Sequence, residues 1–133
     1  MSEATVLSTH VSQIPSLTDD DDWKPVRHHF GIGSFGVNAY IAKSDGEQLV
    51  ETHDEIEHSG TRHEELFFVA DGAATFTVGD ETVEAPAGTF VYVRDPAVTR
   101  GAVARSAGTT ILAIGGEPGV AYDVSPWERK YID

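Results

Sequence analysis

The chain has 133 residues and a formal net charge of −13, from 22 acidic and 9 basic side chains. That length holds one domain with a real core and is too short for a second, and the negative charge opposes binding to phosphate backbones and anionic membrane surfaces. There is no cysteine, which excludes disulfides, thiolate metal sites and cysteine nucleophiles. Thirteen glycines and six prolines, with abundant Val and Thr and no long run of Leu, Ala, Lys and Glu, favour an all-β sandwich or barrel.

Residues 1–22 read as a flexible acidic N-terminal arm. It closes on Asp19-Asp20-Asp21-Asp22, a run that repels itself, yet Val6, Leu7, Val11, Ile14 and Leu17 give it enough apolar content to cross to a neighbouring subunit. No basic segment followed by an apolar stretch opens the chain, and no apolar run approaches the roughly 20 residues that cross a bilayer. The expectation is a cytoplasmic protein with neither nucleic-acid nor membrane partners. Trp23 begins the domain proper, residues 23–133. Residues Ile32 to Ala42 alternate, with Phe35, Val37, Ala39 and Ile41 on one face, and predict a strand that turns at Ser44-Asp45-Gly46.

Further strands follow at short intervals: Gln48 to Thr52, Glu65 to Ala70, Thr75 to Val78, Thr82 to Glu84, Thr89 to Arg94, Ala102 to Ala104 and Thr109 to Ile114. Gly79-Asp80-Glu81 supplies a hairpin loop, and Asp95-Pro96 stops a strand because proline cannot donate to the ladder. Trp127 in the tail is expected to pack back onto the domain, since burying so large a ring is favourable. No G-x-S-x-G elbow is present, and the glycines of Gly31 to Gly36 open a strand rather than joining a strand to a helix, so serine catalysis and phosphate-loop binding lack support.

His63-Glu64-Glu65-Leu66-Phe67-Phe68-Val69-Ala70-Asp71-Gly72, followed after a hairpin by Ala85-Pro86-Ala87-Gly88 and a strand ending at Pro96, resembles the two signature motifs of the cupin family. Glu65 and Gly72 reproduce the E-x6-G half of the first motif, G-x5-H-x-H-x3-4-E-x6-G. The second, G-x5-P-x-G-x2-H-x3-N, runs from Gly88 to Arg94, Pro96, Thr99 and Val103; Gly88 matches, and Thr99 stands where the histidine belongs. The resemblance implies a single cupin-type β-barrel, a double-stranded β-helix or jelly roll, with three histidines and one glutamate converging inside it, and a homodimer.

Only part of that ligand set can be placed. Residues two apart on a strand share a face, so His63 and Glu65 point into one cavity while Arg62 and Glu64 point out. Without a gap, His58 precedes Glu65 at the family spacing, but Gly60 replaces the second histidine. With residues 56–62 bulging outward as a polar loop, His53 and Glu55 supply the pair; this register is preferred. His53, His63 and Glu65, with Glu55 as fourth, then form a site with nitrogen and oxygen donors that suit Zn, Ni, Mn or Fe. Phe67, Val69, Val91 and Val93 are expected to line an apolar interior open to a small molecule. His28-His29 reads as a solvated turn, and Arg94 and Arg100 as arginines in local surface pairs. The leading function is a small-molecule-binding barrel with a degenerate or weak metal site. A metal-dependent enzyme of dioxygenase or isomerase type and a structural or partner-binding barrel are the alternatives.

Overall fold

The computed structural model describes residues 5–19, 22–56 and 61–132. Along the chain these form a 3-10 turn at Val11–Gln13, β1 (Trp23–Lys24), α1 (Val26–Phe30), β2 (Gly36–Ile41), β3 (Gln48–His53), β4 (Glu64–Asp71), β5 (Ala73–Val78), β6 (Glu81–Pro86), β7 (Phe90–Val93), β8 (Arg100–Ala104), β9 (Thr110–Gly116) and α2 (Pro126–Ile132). Two antiparallel sheets result, ordered β1-β2-β9-β4-β7 and β3-β8-β5-β6. From β2 onward the chain passes repeatedly between the two, and the architecture is the expected all-β jelly-roll barrel.

The alternation read from the sequence determines which side chains meet inside. On β4, Phe67 and Val69 are buried while Leu66 and Phe68 turn outward; on the facing sheet, Ala74 and Phe76 of β5 are fully buried. Phe67 and Phe76 pack across the gap with ring centroids 5.3 Å apart. Alanines at 74, 85, 102 and 104 line the inner face of the four-stranded sheet. Their small side chains leave the space that Phe67, Phe76 and Ile111 fill. At the β4–β5 corner Gly72 has φ 72°, and a Cβ there would lie 2.4 Å from Thr109 Oγ1. Only glycine fits both the left-handed backbone and that approach.

Phe67, Val69, Val91 and Val93 belong to this closed core and do not line the cavity described below. This corrects the expectation that they form ligand walls: their partners on the opposite sheet fill the space that an open interior would need. Besides the 3-10 turn, three elements lay outside the strand pattern. β1 pairs Trp23 with Tyr40 and extends the five-stranded sheet, α1 ends at Gly31 with φ 72°, and α2 carries the tail. α1 and its cap end at Gly31 and residues 32–35 are irregular, with a bend at 34–35, so β2 starts at Gly36 rather than Ile32. His28 and His29 lie on α1, exposed, with His29 Nε2 3.0 Å from Thr9 Oγ1. Part of the N-terminal segment packs on the domain, where Ile14 is buried. Trp127 packs on Trp23 as expected, with centroids 5.1 Å apart.

Phe67→Ala should cost about 3–5 kcal/mol through lost transfer free energy and the cavity left behind. Phe90→Ala, at a side chain 64% exposed, should stay within about 1 kcal/mol. Urea melts of the two variants check the assignment, and similar losses would contradict the inward parity of β4.

Candidate functional site

One end of the barrel is polar. β3 reaches it through an irregularity: its pairing with β8 runs Val50↔Ala102 and then His53↔Arg100, three residues on one strand against two on the other. The extra residue rephases the strand, so His53 faces inward where strict alternation from Val50 would have turned it out. Gly101 admits this bulge, since a Cβ there would lie 2.9 Å from Thr52 Oγ1 and 3.2 Å from the Val50 carbonyl oxygen. Just beyond β3, the Glu55 N–H donates to the Pro96 carbonyl at 2.7 Å, which holds this carboxylate in a buried position. From the other sheet, β4 brings His63 and Glu65 by simple alternation. Gly115 lies opposite Glu65 in the ladder, and a Cβ there would sit 3.4 Å from Glu65 Cγ.

His53 Nδ1–H donates to the Glu51 carbonyl at 2.7 Å. Its Nε2 therefore faces the carboxylates, 3.0 Å from Glu55 Oε2 and 3.6 Å from Glu65 Oε1. His63 Nδ1 lies 3.7 Å from Glu55 Oε1, and its ring stacks on Tyr122 with centroids 5.3 Å apart and planes at 27°. Behind Glu65, Arg100 is wholly buried and donates from Nη1 to Glu65 Oε1 at 2.6 Å. Desolvation disfavours a charge on His53, but the hydrogen bonds to Glu55 and Glu65 and to the Glu51 carbonyl outweigh it and raise its pKa to about 10. Burial, reinforced by Glu65, raises Tyr40 well above the usual phenol range. Burial and Glu128 push Tyr122 up to about 12. Both phenols stay protonated and can donate hydrogen bonds to a ligand.

These groups open into a cavity of about 390 Å³ lined by residues of β1–β4, β9 and the C-terminal segment. Its outer wall carries Trp23, Tyr122, Trp127 and Glu128. Glu128 is buried on α2 and accepts from Asn38 Nδ2 at 3.3 Å and Arg27 Nη2 at 3.5 Å. Trp23 Nε1 and Asn38 Oδ1 are buried at this cavity with no hydrogen-bond partner among the described residues. Aromatic faces with a few convergent polar groups are the usual make-up of a small-molecule site.

The structure thus brings His53, Glu55, His63 and Glu65 together. His58, the alternative ligand, lies outside the described residues. Thr99 is exposed; the inward place on that strand belongs to Arg100, because Ala102 and Ala104 inside put Arg100 on the same face. Arg100 is therefore no surface arginine, in contrast to Arg94, which is exposed and stacks 5.4 Å from the Tyr92 ring centroid. Tyr40, Tyr122 and Glu128 had no signal in the sequence, whereas the Arg100-Ala102-Ala104 alternation could have revealed Arg100. Donor atoms of His53, Glu55 and Glu65 lie within 4.8 Å of one another. His53 donates from Nδ1 to a carbonyl and turns Nε2 towards the two carboxylates, so that an ion displacing the Nε2 proton would meet an imidazole already oriented as metal-bound imidazoles are. The donor set fits a divalent ion such as Zn, Ni, Mn or Fe.

No protein-family model matches the chain, and no curated protein does. Its shape is that of a cupin barrel. Similar solved structures include a cupin protein from Bacteroides fragilis, with TM-score 0.57 and 19% identity over 70% of this chain and 74% of that one. A sugar phosphate isomerase from a cupin superfamily, from Silicibacter pomeroyi, gives TM-score 0.57 and 16% identity over 71% and 58%. KdgF from Halomonas sp. gives 0.53 and 14% over 62% and 68%. At such identities the likeness shows the fold alone.

In metal-free protein His53 should contribute a pH-dependent term to stability. Its folded pKa, about 10, lies above the ordinary 6.5, so the contribution is complete below about pH 6.5 and is lost as pH rises towards about 10. The stability gap between wild type and His53→Gln in urea melts should narrow over that range; a constant gap would contradict a charged His53.

Proposed function

We propose that this protein binds a small organic molecule in the cavity at the polar end of the barrel, beside a divalent metal held weakly by His53, Glu55, His63 and Glu65. The observation that carries the reading is the convergence of two imidazoles and two carboxylates from both sheets at the base of an aromatic-walled cavity. Binding is weak because the donors already have partners that an ion must displace, Glu55 with His53 and Glu65 with Arg100. A bound ion supplies a Lewis-acidic anchor for a ligand oxygen. The chain's own groups do the rest. Tyr40 and Tyr122 donate from protonated hydroxyls, Asn38 and Trp23 offer a buried acceptor and donor, and the rings of Trp23, Tyr122 and Trp127 exclude water.

Added Zn, Ni or Mn should raise the melting temperature of chelator-treated protein by a few degrees through mass action, and chelator should reverse the rise. The double variant His53→Ala/His63→Ala should abolish the response. Metal-dependent stabilisation that persists in it would place the ion elsewhere and overturn this site.

We also propose that the chain forms homodimers. β7 is an edge strand that exposes Phe90 and Tyr92 at 64% and 46%, and edge strands with apolar side chains invite pairing. Among the described residues no helix is long and apolar enough to cross a membrane. Light scattering should give twice the 14.3 kDa chain mass, and removal of residues 1–22 should weaken association if the arm takes part. A mass of 14.3 kDa in concentrated solution would exclude the dimer.

A further inference from the structure

Among the described residues, no larger side chain is as completely buried as Arg100. A guanidinium in that position is costly unless every donor is met, and here each nitrogen has a partner. Nε donates to the Val98 carbonyl at 2.8 Å, Nη2 to the Asp95 carbonyl at 2.9 Å and Nη1 to Glu65 Oε1 at 2.6 Å. The two carbonyls belong to the turn leading into β8, so the chain immediately before Arg100 wraps its own side chain and aims it at the opposite sheet. Arg100 does not line the cavity; it reaches it through Glu65.

Two carboxylates face each other across His53 Nε2, Glu55 with 5% of its side chain exposed and Glu65 with 14%. His53, lying against both, offsets one negative charge, and the other must still be balanced where water cannot do so. A divalent ion and a guanidinium are two solutions to that same problem, and β8 places the second at the inward position of its strand. We propose that Arg100 is the resident counter-ion of this site: a positioning residue that holds Glu65 in place for a ligand and, by its fixed positive charge, keeps metal affinity low enough for the site to persist without metal. The proposal rests on the metal site proposed above. Because the guanidinium is bonded directly to a ligand carboxylate, its Coulombic opposition to a divalent ion at an effective dielectric of about 20 should change affinity on the order of tenfold at the least.

The full chain, stripped with chelator, is titrated with Zn and with Mn by calorimetry and followed by thermal melts, for wild type, Arg100→Gln and Arg100→Lys. Metal-free Arg100→Gln should melt below wild type, bind metal on the order of tenfold tighter or more, and gain the larger rise in melting temperature on loading. Arg100→Lys, which keeps the charge, should bind metal as wild type does. A purely structural arginine would lower the melting temperature without tightening metal binding. If wild type responds to metal and Arg100→Gln binds no tighter, the counter-ion role is overturned and the metal site stands. Arg100→Gln that stays unfolded at saturating metal also overturns it, because the ion should supply the missing charge. Tightening in Arg100→Lys equal to that in Arg100→Gln overturns the electrostatic basis. An absent response in all three proteins overturns the metal site itself and this role with it.

Discussion

The ion pair between Arg100 and Glu65 joins β8 of the four-stranded sheet to β4 of the five-stranded sheet at the end of the barrel where apolar packing stops. His53, Glu55 and His63 gather beside it. Removing one partner of such a buried pair leaves an uncompensated charge, at a cost of about 3–5 kcal/mol, whereas a well-packed apolar replacement of both is often neutral. The pair is thus weak as an argument for stability and strong as a constraint on where Glu65 can point. Arg100 and His53 both lie against Oε1 of Glu65, at 2.6 and 3.6 Å, so the pair fixes the oxygen that the imidazole meets.

The same strands build core and site. Along β4 the inward positions run from Glu65 to Phe67 and Val69, preceded by His63 just outside the strand, so one face changes from titratable to apolar within a few residues. The apolar half meets Phe76 and the alanines of the opposite sheet and closes. At the polar half the opposite positions are Gly115 and the bulged end of β3, which leave room. Space appears where side chains are missing or displaced, and charge is tolerated there because partners from two sheets converge.

Most strands were legible in the sequence because alternation and turn residues reinforce each other, as in the run from Glu64 to Gly72. The inward set of β4 followed from parity alone, and so did the pairing of His63 with Glu65. Parity failed in places where the backbone departs from regularity. The β3 bulge depends on the absence of a side chain at Gly101, far along the chain from His53, and no local pattern records it. Assigning the second-motif position to Thr99 missed Arg100 by one residue, since a charged side chain is by default placed in solvent although its alternation with Ala102 and Ala104 puts it inside. Tyr122 and Glu128 reach the site through contacts with Arg27, Asn38 and His63, nearly a hundred residues earlier for the first two; long-range packing of a tail leaves no periodic trace. β1 was too short to carry any alternation.

The outer wall of the cavity has a different mechanical character from the rest. α2 has seven residues, too few for a helix to hold its own shape in water, and no ladder of strand hydrogen bonds ties it to the barrel. Its place is held by the tilted packing of Trp127 and Tyr131 against Trp23, at centroid distances of 5.1 and 5.5 Å, and by the bonds of Glu128 to Asn38 and Arg27. Segments held in this way open at lower free energy than the strands behind them. The outer wall of the cavity is therefore formed by a tail segment rather than by the barrel, and its shape depends on how about two helical turns pack against a tryptophan.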